Sequence, residues 1–167
     1  MNWKSSLAKW RSVRKITKPQ TNYLVMMSEE VDEYAAAVSN NDWTEKVDAI
    51  CDQLVLTTNQ AVLEEVSAEV GAFYNVKDCL DRYQFGNDNS QYLNRISEIC
   101  LDELYSLGVV PALAMKECLK EISSRKIDPL LEADWLEGKL DKWPKWKQQP
   151  DTYKANYKLA KRKQYSS

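Results

Sequence analysis

Two short acidic runs hold the residue types that could do chemistry. In Glu29-Glu30-Val31-Asp32-Glu33, Glu30 and Glu33 are three apart, which brings both to one side of a helix. About a dozen residues later come Glu45, Asp48 and Asp52; steps of about 300° and about 40° put these three in one narrow stripe. Glu30 is bordered by Met26, Met27 and Val31, and Asp52 by Cys51 and Leu54, so the acids lie beside apolar faces. Brought together, these carboxylates would repel strongly at neutral pH. A hard divalent cation relieves that repulsion, and oxygen-only ligands favour Mg2+ or Mn2+. Mg2+ keeps waters and bridges to phosphates, which points to a nucleotide or pyrophosphate substrate. The bland alternative is solvent-facing helix charge, with Glu45 as the capping-box partner of Asp42. Glu64, Glu65 and Glu69 read as a solvated face.

Composition removes most other chemistry. The 167 residues include no histidine, which excludes Ser-His-Asp and Cys-His triads and histidine metal sites. Only four glycines are present, and no Gly-rich phosphate loop or nucleophile elbow occurs. Cys51, Cys79, Cys100 and Cys118 are too far apart for a metal knuckle and read as small buried hydrophobes. No signal peptide and no membrane-spanning run is evident, so a cytoplasmic protein with reduced thiols is expected, in the host cytoplasm if the chain is viral. Charge is uneven: residues 141–167 carry a net +6 and the rest −8. An acidic body suits bound cations, and a basic tail suits an anionic partner or solvent.

The elements that must position the acids read as helices throughout. A short helix is expected near residues 3–15, broken at Lys18-Pro19-Gln20. Helix A runs roughly from Asn22 to Val38, with Leu24, Met27, Val31, Tyr34 and Val38 as its buried stripe. Helix B starts near Trp43, with Val47, Ile50, Leu54 and Ala61 inward and Leu63, Val66, Val70 and Phe73 as an extension that Gly71 could interrupt. A loop covers 85–90. Helix C spans about 91–107, with Leu93, Ile96, Cys100, Leu104 and Leu107 inward and Gly108 as its C-cap. Helix D begins at Pro111, with Ala112, Met115, Leu119 and Ile122 inward. The expected fold is all-α, an antiparallel four-helix bundle with a C-terminal arm. The segments are 1–20 as an N-terminal lead, 21–128 as the helical domain and 129–167 as a basic, aromatic arm outside the core.

The run Glu30-x-x-Glu33, then Glu45-Lys-Val-Asp48-Ala-Ile-Cys-Asp52-Gln-Leu-Val, resembles the signature of the MazG-like all-α NTP pyrophosphohydrolases, in its phage-type form E-x-x-D-A-x-x-D. Trp10 to Arg14 and Lys18 to Asn22 are similar to the segment before the first family helix. Glu103 to Val109 and Met115 to Cys118 resemble the passage into the last bundle helix. The resemblance covers about 10–60 and 100–126. It departs at about 62–100, which reads as an insertion or an extended helix pair, at Ala49, where many cellular members place a glutamate, and at Ile122-Ser123-Ser124-Arg125, which lacks the expected asparagine.

The resemblance implies Mg2+-dependent hydrolysis of a nucleoside triphosphate, a dNTP being the favoured case, to the monophosphate and pyrophosphate. It implies Glu30, Glu33, Glu45, Asp48 and Asp52 as metal ligands, with Glu33 or Glu30 as the base. Lys18, Lys126 or Arg125 would hold phosphate, Asn22 or Gln20 would hydrogen-bond the base, and Trp10 would stack on it or pack in the core. A homodimer or homotetramer is implied, with the basic arm reaching a neighbour's acidic site. Two other readings compete. One is a non-enzymatic dimeric helical adaptor. The other is single-stranded nucleic acid held by Trp135, Trp143, Trp146, Tyr153 and Tyr157 among lysines, which the acidic body disfavours.

Overall fold

The computed structural model describes residues 2–65, 75–83 and 91–163. The described residues form seven α-helices and no strand: α1 Trp3–Val13, α2 Tyr23–Ser39, α3 Trp43–Leu63, α4 Val76–Arg82, α5 Tyr92–Ser106, α6 Pro111–Ser124 and α7 Pro129–Leu136. A 3-10 turn follows at Tyr157–Ala160. Val66, Glu69, Val70, Gly71, Phe73 and the 85–90 loop lie outside the described residues. No described helix is long and apolar enough to cross a membrane.

Local chemistry sets the ends. The Asp42 side chain accepts from the Glu45 amide at 3.1 Å and caps α3. Helix α3 ends at Leu63, capped by Glu64, with Glu65 in the left-handed region at φ 57°. Gly108 takes φ 86° after α5, a conformation that costs a side-chain-bearing residue steric strain, and its amide returns to Tyr105 at 3.0 Å.

Helix α3 is the central element and packs against α2, α5, α6 and the 3-10 turn. It runs opposite to α2: Tyr23 meets Thr57 at 2.6 Å, and seven residues on, the Glu30 carbonyl accepts from Gln53 at 3.5 Å. Its polar residues are buried with partners. Arg11 donates to Asn59 at 2.7 Å, and the Gln60 amide pairs with the backbone of Gln20 at 3.0 and 2.9 Å. Leu7, Met27, Val47, Leu54, Leu93, Ile96, Leu104 and Met115 are fully enclosed, each such side chain contributing roughly 1.5–3 kcal/mol of burial. All four cysteines are buried and free.

Three expectations need correction. In α2, Leu24 and Val38 are 42% and 49% exposed, and Val31 is half-buried. The stripe facing α3 is Tyr23, Met27, Glu30, Tyr34 and Ala37, rotated one residue from the expected one. In α6, Ala112 is exposed and Ala114 is buried in its place. The arm is also more than a surface tail. Tyr157 is 2% and Ala160 0% exposed, inside the core. Reciprocal backbone bonds of 2.9 and 2.6 Å join Lys126 to Lys147, while Val110 donates to Ala160 and Arg162 to Gly108, each at 2.8 Å. These bonds wrap the arm around its own chain.

Candidate metal centre

Glu30 occupies a position of the buried α2 stripe, so folding carries its carboxylate toward α3. Glu33, one turn on, is exposed. Asp52 projects from α3 to meet them, and one carboxylate oxygen from each of Glu30, Glu33 and Asp52 lies within 4.8 Å of the others. Asp48 stands one turn before Asp52. It accepts a 2.7 Å hydrogen bond from the Tyr157 hydroxyl, and its charge bears on both Glu30 and Asp52. Glu45 is exposed and outside the three-carboxylate cluster; it bears on Asp48 as a nearby like charge.

Helix α6 supplies the third wall. Glu121 is 8% exposed, accepts from the Ala155 amide at 3.1 Å and pairs with Arg125 at 3.4 Å. The Arg125 guanidinium is the positive charge felt by Glu30, Asp48 and Asp52 together. Glu117, one turn back, fastens the arm: it accepts from the Tyr153 hydroxyl, from the Asn156 amide at 3.0 Å and from Lys120 at 2.9 Å. The Cys118 thiol donates to Asp52 at 3.7 Å.

Burial, and then crowding, shifts these acids upward. Burial, then the charge of Glu33, pushes Glu30 to about 8. Burial lifts Asp48 to about 6 despite the bond from Tyr157, with Glu121 and Glu45 adding repulsion. Asp52 lies well above the usual carboxylate range, from burial and from the charges of Asp48 and Glu30, with Arg125 offsetting part of the effect. Oε2 of Glu30 is shut off from solvent and has no hydrogen-bond partner among the described residues. A buried carboxylate oxygen with no donor, beside two more carboxylates and in an oxygen-only set, fits a hard divalent cation.

The other residues singled out from the sequence fall in different places. Arg125 joins the acidic site. Lys126 is exposed and ion-paired with Asp151. Gln20 is buried and bonded within the fold to Gln60 and Met26. Asn22 is exposed at the start of α2 and its side chain makes no capping bond. Lys18 is exposed, and its carbonyl accepts from Trp143 at 3.0 Å. Trp10 packs edge-on to Trp146 at 6.0 Å and tilted to Trp143 at 6.4 Å, with the Arg14 guanidinium 4.7 Å from its ring centre. Two of the arm's cations rest on aromatic rings: Lys161 covers Trp43 at 4.7 Å and Arg162 covers Tyr105 at 3.7 Å.

The sequence reading missed Glu117 and Glu121, and placed Tyr157 among aromatics for a nucleic acid rather than beside Asp48. The signal for the first two was present, as carboxylates four apart flanking Cys118 on an otherwise apolar face. No protein-family model, curated protein or solved structure matches the chain.

Proposed function

We propose that the chain is a divalent-metal-dependent hydrolase that cleaves a nucleoside triphosphate between its α and β phosphates. The observation that carries this reading is the convergence of Glu30, Glu33 and Asp52 within 4.8 Å, with one Glu30 oxygen buried and unpartnered. Glu30, Glu33 and Asp52 would hold Mg2+ or Mn2+, with Asp48 at their border. The bound cation supplies charge against the phosphates and acidifies water. Glu33, the exposed member of the trio, takes the proton of the attacking water. The water oxygen forms the new bond to phosphorus, the bridging bond breaks, and the electron pair leaves with pyrophosphate. Arg125 offers its guanidinium to the phosphate oxygens. Tyr157 and Arg125 hold Asp48 and the cluster in place.

The finer fold attached to this reading is the antiparallel four-helix bundle of the all-α NTP pyrophosphatases. The outer side of α2 exposes Leu24, Val25 and Val38, which suits a homodimer or homotetramer. A non-enzymatic dimeric adaptor would use the same apolar surface, but it leaves the buried Glu30 oxygen without a role. Phosphorus NMR of the products after incubation with Mg2+ and a nucleoside triphosphate tests the proposal. Monophosphate plus pyrophosphate supports it; unchanged triphosphate across all bases and both sugars, or release of orthophosphate, refutes it.

A further inference from the structure

A cleft of about 410 Å³ opens where α1 and α6 end, lined also by residues of α7 and the arm. Arg14, Arg125, Lys126, Glu132, Trp135 and Trp146 line it. Arg125 belongs to this cleft and to the acidic site at once, so the two share a wall. The volume lies in the range of small-ligand sites.

The cleft combines half-buried indole surface with three cations and one carboxylate. Arg14 stands over the Trp10 and Trp146 rings at 4.7 and 5.2 Å, and the hydrogen bonds of both guanidiniums are long. Arg14 donates to the carbonyls of Trp10 and Ser123 at 3.4 and 3.3 Å, and Arg125 reaches Glu121 at 3.4 Å. These are longer than normal N–H···O bonds, so a phosphate oxygen is a better acceptor than those now used. The indoles are fixed in place: Trp135 donates to the Arg14 carbonyl at 2.7 Å, and Trp146 rests on Trp10. Rigid aromatic walls bind a planar ring at low entropic cost. Glu132 adds an acceptor for ring or sugar donors.

From the shared Arg125 wall and this lining, we infer that the cleft receives the nucleoside end of the substrate, as a nucleoside monophosphate moiety. The base lies against Trp135 and Trp146, and the adjoining phosphate meets Arg125 and Arg14. This places the base on α7 and the arm rather than on Trp10, Gln20 or Asn22. The inference rests on the nucleotide reading of the acidic site, yet its test needs neither metal nor turnover.

Isothermal calorimetry in EDTA with the ribo- and deoxyribonucleoside monophosphates of every base is the experiment. The wild-type chain binds at least one of them saturably. Trp135→Leu weakens that binding roughly tenfold or more, the loss of one stacking contact. Ser123→Trp, at an exposed rim position, fills the cleft and weakens it at least as much without touching the core. The Mg2+-induced rise in Tm stays as in wild type for both variants. Absence of binding by every monophosphate of both sugars, or equal binding by wild type and Ser123→Trp, overturns the inference. Monophosphate binding without Mg2+-dependent turnover overturns the hydrolase reading and leaves the cleft standing.

Discussion

The hydroxyl of Tyr157 donates to Oδ1 of Asp48 at 2.7 Å, joining two residues 109 apart in sequence. The arm therefore contributes a buried side chain to the acidic site from within its own chain. Tyr157→Phe keeps the ring and removes the donor. The variant should fold, and its half-saturating Mg2+ concentration should rise roughly 10- to 100-fold, the range for losing a group that orients a ligand. A Mg2+ titration read by Tm checks this; an unshifted midpoint would show that the bond does not orient Asp48.

The upward shifts at Glu30, Asp48 and Asp52 give the metal-free protein a specific pH dependence. Each binds its proton more tightly folded than unfolded, so between the ordinary carboxylate range and about 8 the folded state holds more protons. Stability then falls as pH rises through that window. Urea unfolding in EDTA at pH 5.5 and pH 8 should show the lower midpoint at pH 8, and saturating Mg2+ should narrow the gap. A higher midpoint at pH 8 in EDTA would contradict the burial and crowding of these three carboxyls.

Removing one acid should separate stability from metal binding. Glu30→Gln relieves like-charge repulsion and should stabilise the metal-free protein at pH 8 by roughly 1–2 kcal/mol, the equivalent of about one pKa unit. The same change should abolish most of the Mg2+-induced rise in Tm. Loss of stability in EDTA, with the Mg2+ response intact, would mean that Glu30 is only a packed structural acid.

Glu117 fastens the arm through the Tyr153 hydroxyl and the Asn156 amide, and pairs with Lys120 of its own helix. Glu117→Ala leaves those donors without their acceptor and should cost about 1–3 kcal/mol. It should also speed limited proteolysis between residues 147 and 156. Proteolysis at the wild-type rate would show that the arm is held elsewhere.

Much of this fold is legible in the sequence, because the apolar spacing in α3 and α5 marks residues that are buried. Val47, Ile50 and Leu54, then Leu93, Ile96, Cys100 and Leu104, are buried as their spacing requires. Helix α2 is harder. Apolar residues populate two overlapping stripes that share Met27 and Tyr34, and hydrophobicity alone selects the one with Leu24 and Val38. The chain buries the other, with Glu30 in it, because Tyr23 and Met27 on that face meet Thr57 of α3 in the core. The acidic runs show that two helices could converge on a cation, and Glu30, Glu33 and Asp52 do come together. Glu121 looks like an ordinary surface acid until the arm amide that it binds, 34 residues later, is in place. Tyr157 has no local signal, since a basic aromatic segment reads as a solvated tail unless its partner is known.

The most direct measurement is Mg2+-dependent pyrophosphate release from a panel of NTPs and dNTPs, by wild type, Glu33→Gln and Asp52→Asn. Turnover of at least one nucleotide by wild type is expected, with losses on the order of a hundredfold or more in both variants, as for removal of a catalytic base or a metal ligand. Absence of turnover of every nucleotide by folded wild-type protein, or turnover that survives both substitutions, would contradict the assignment of Glu30, Glu33 and Asp52 as a hydrolytic metal centre.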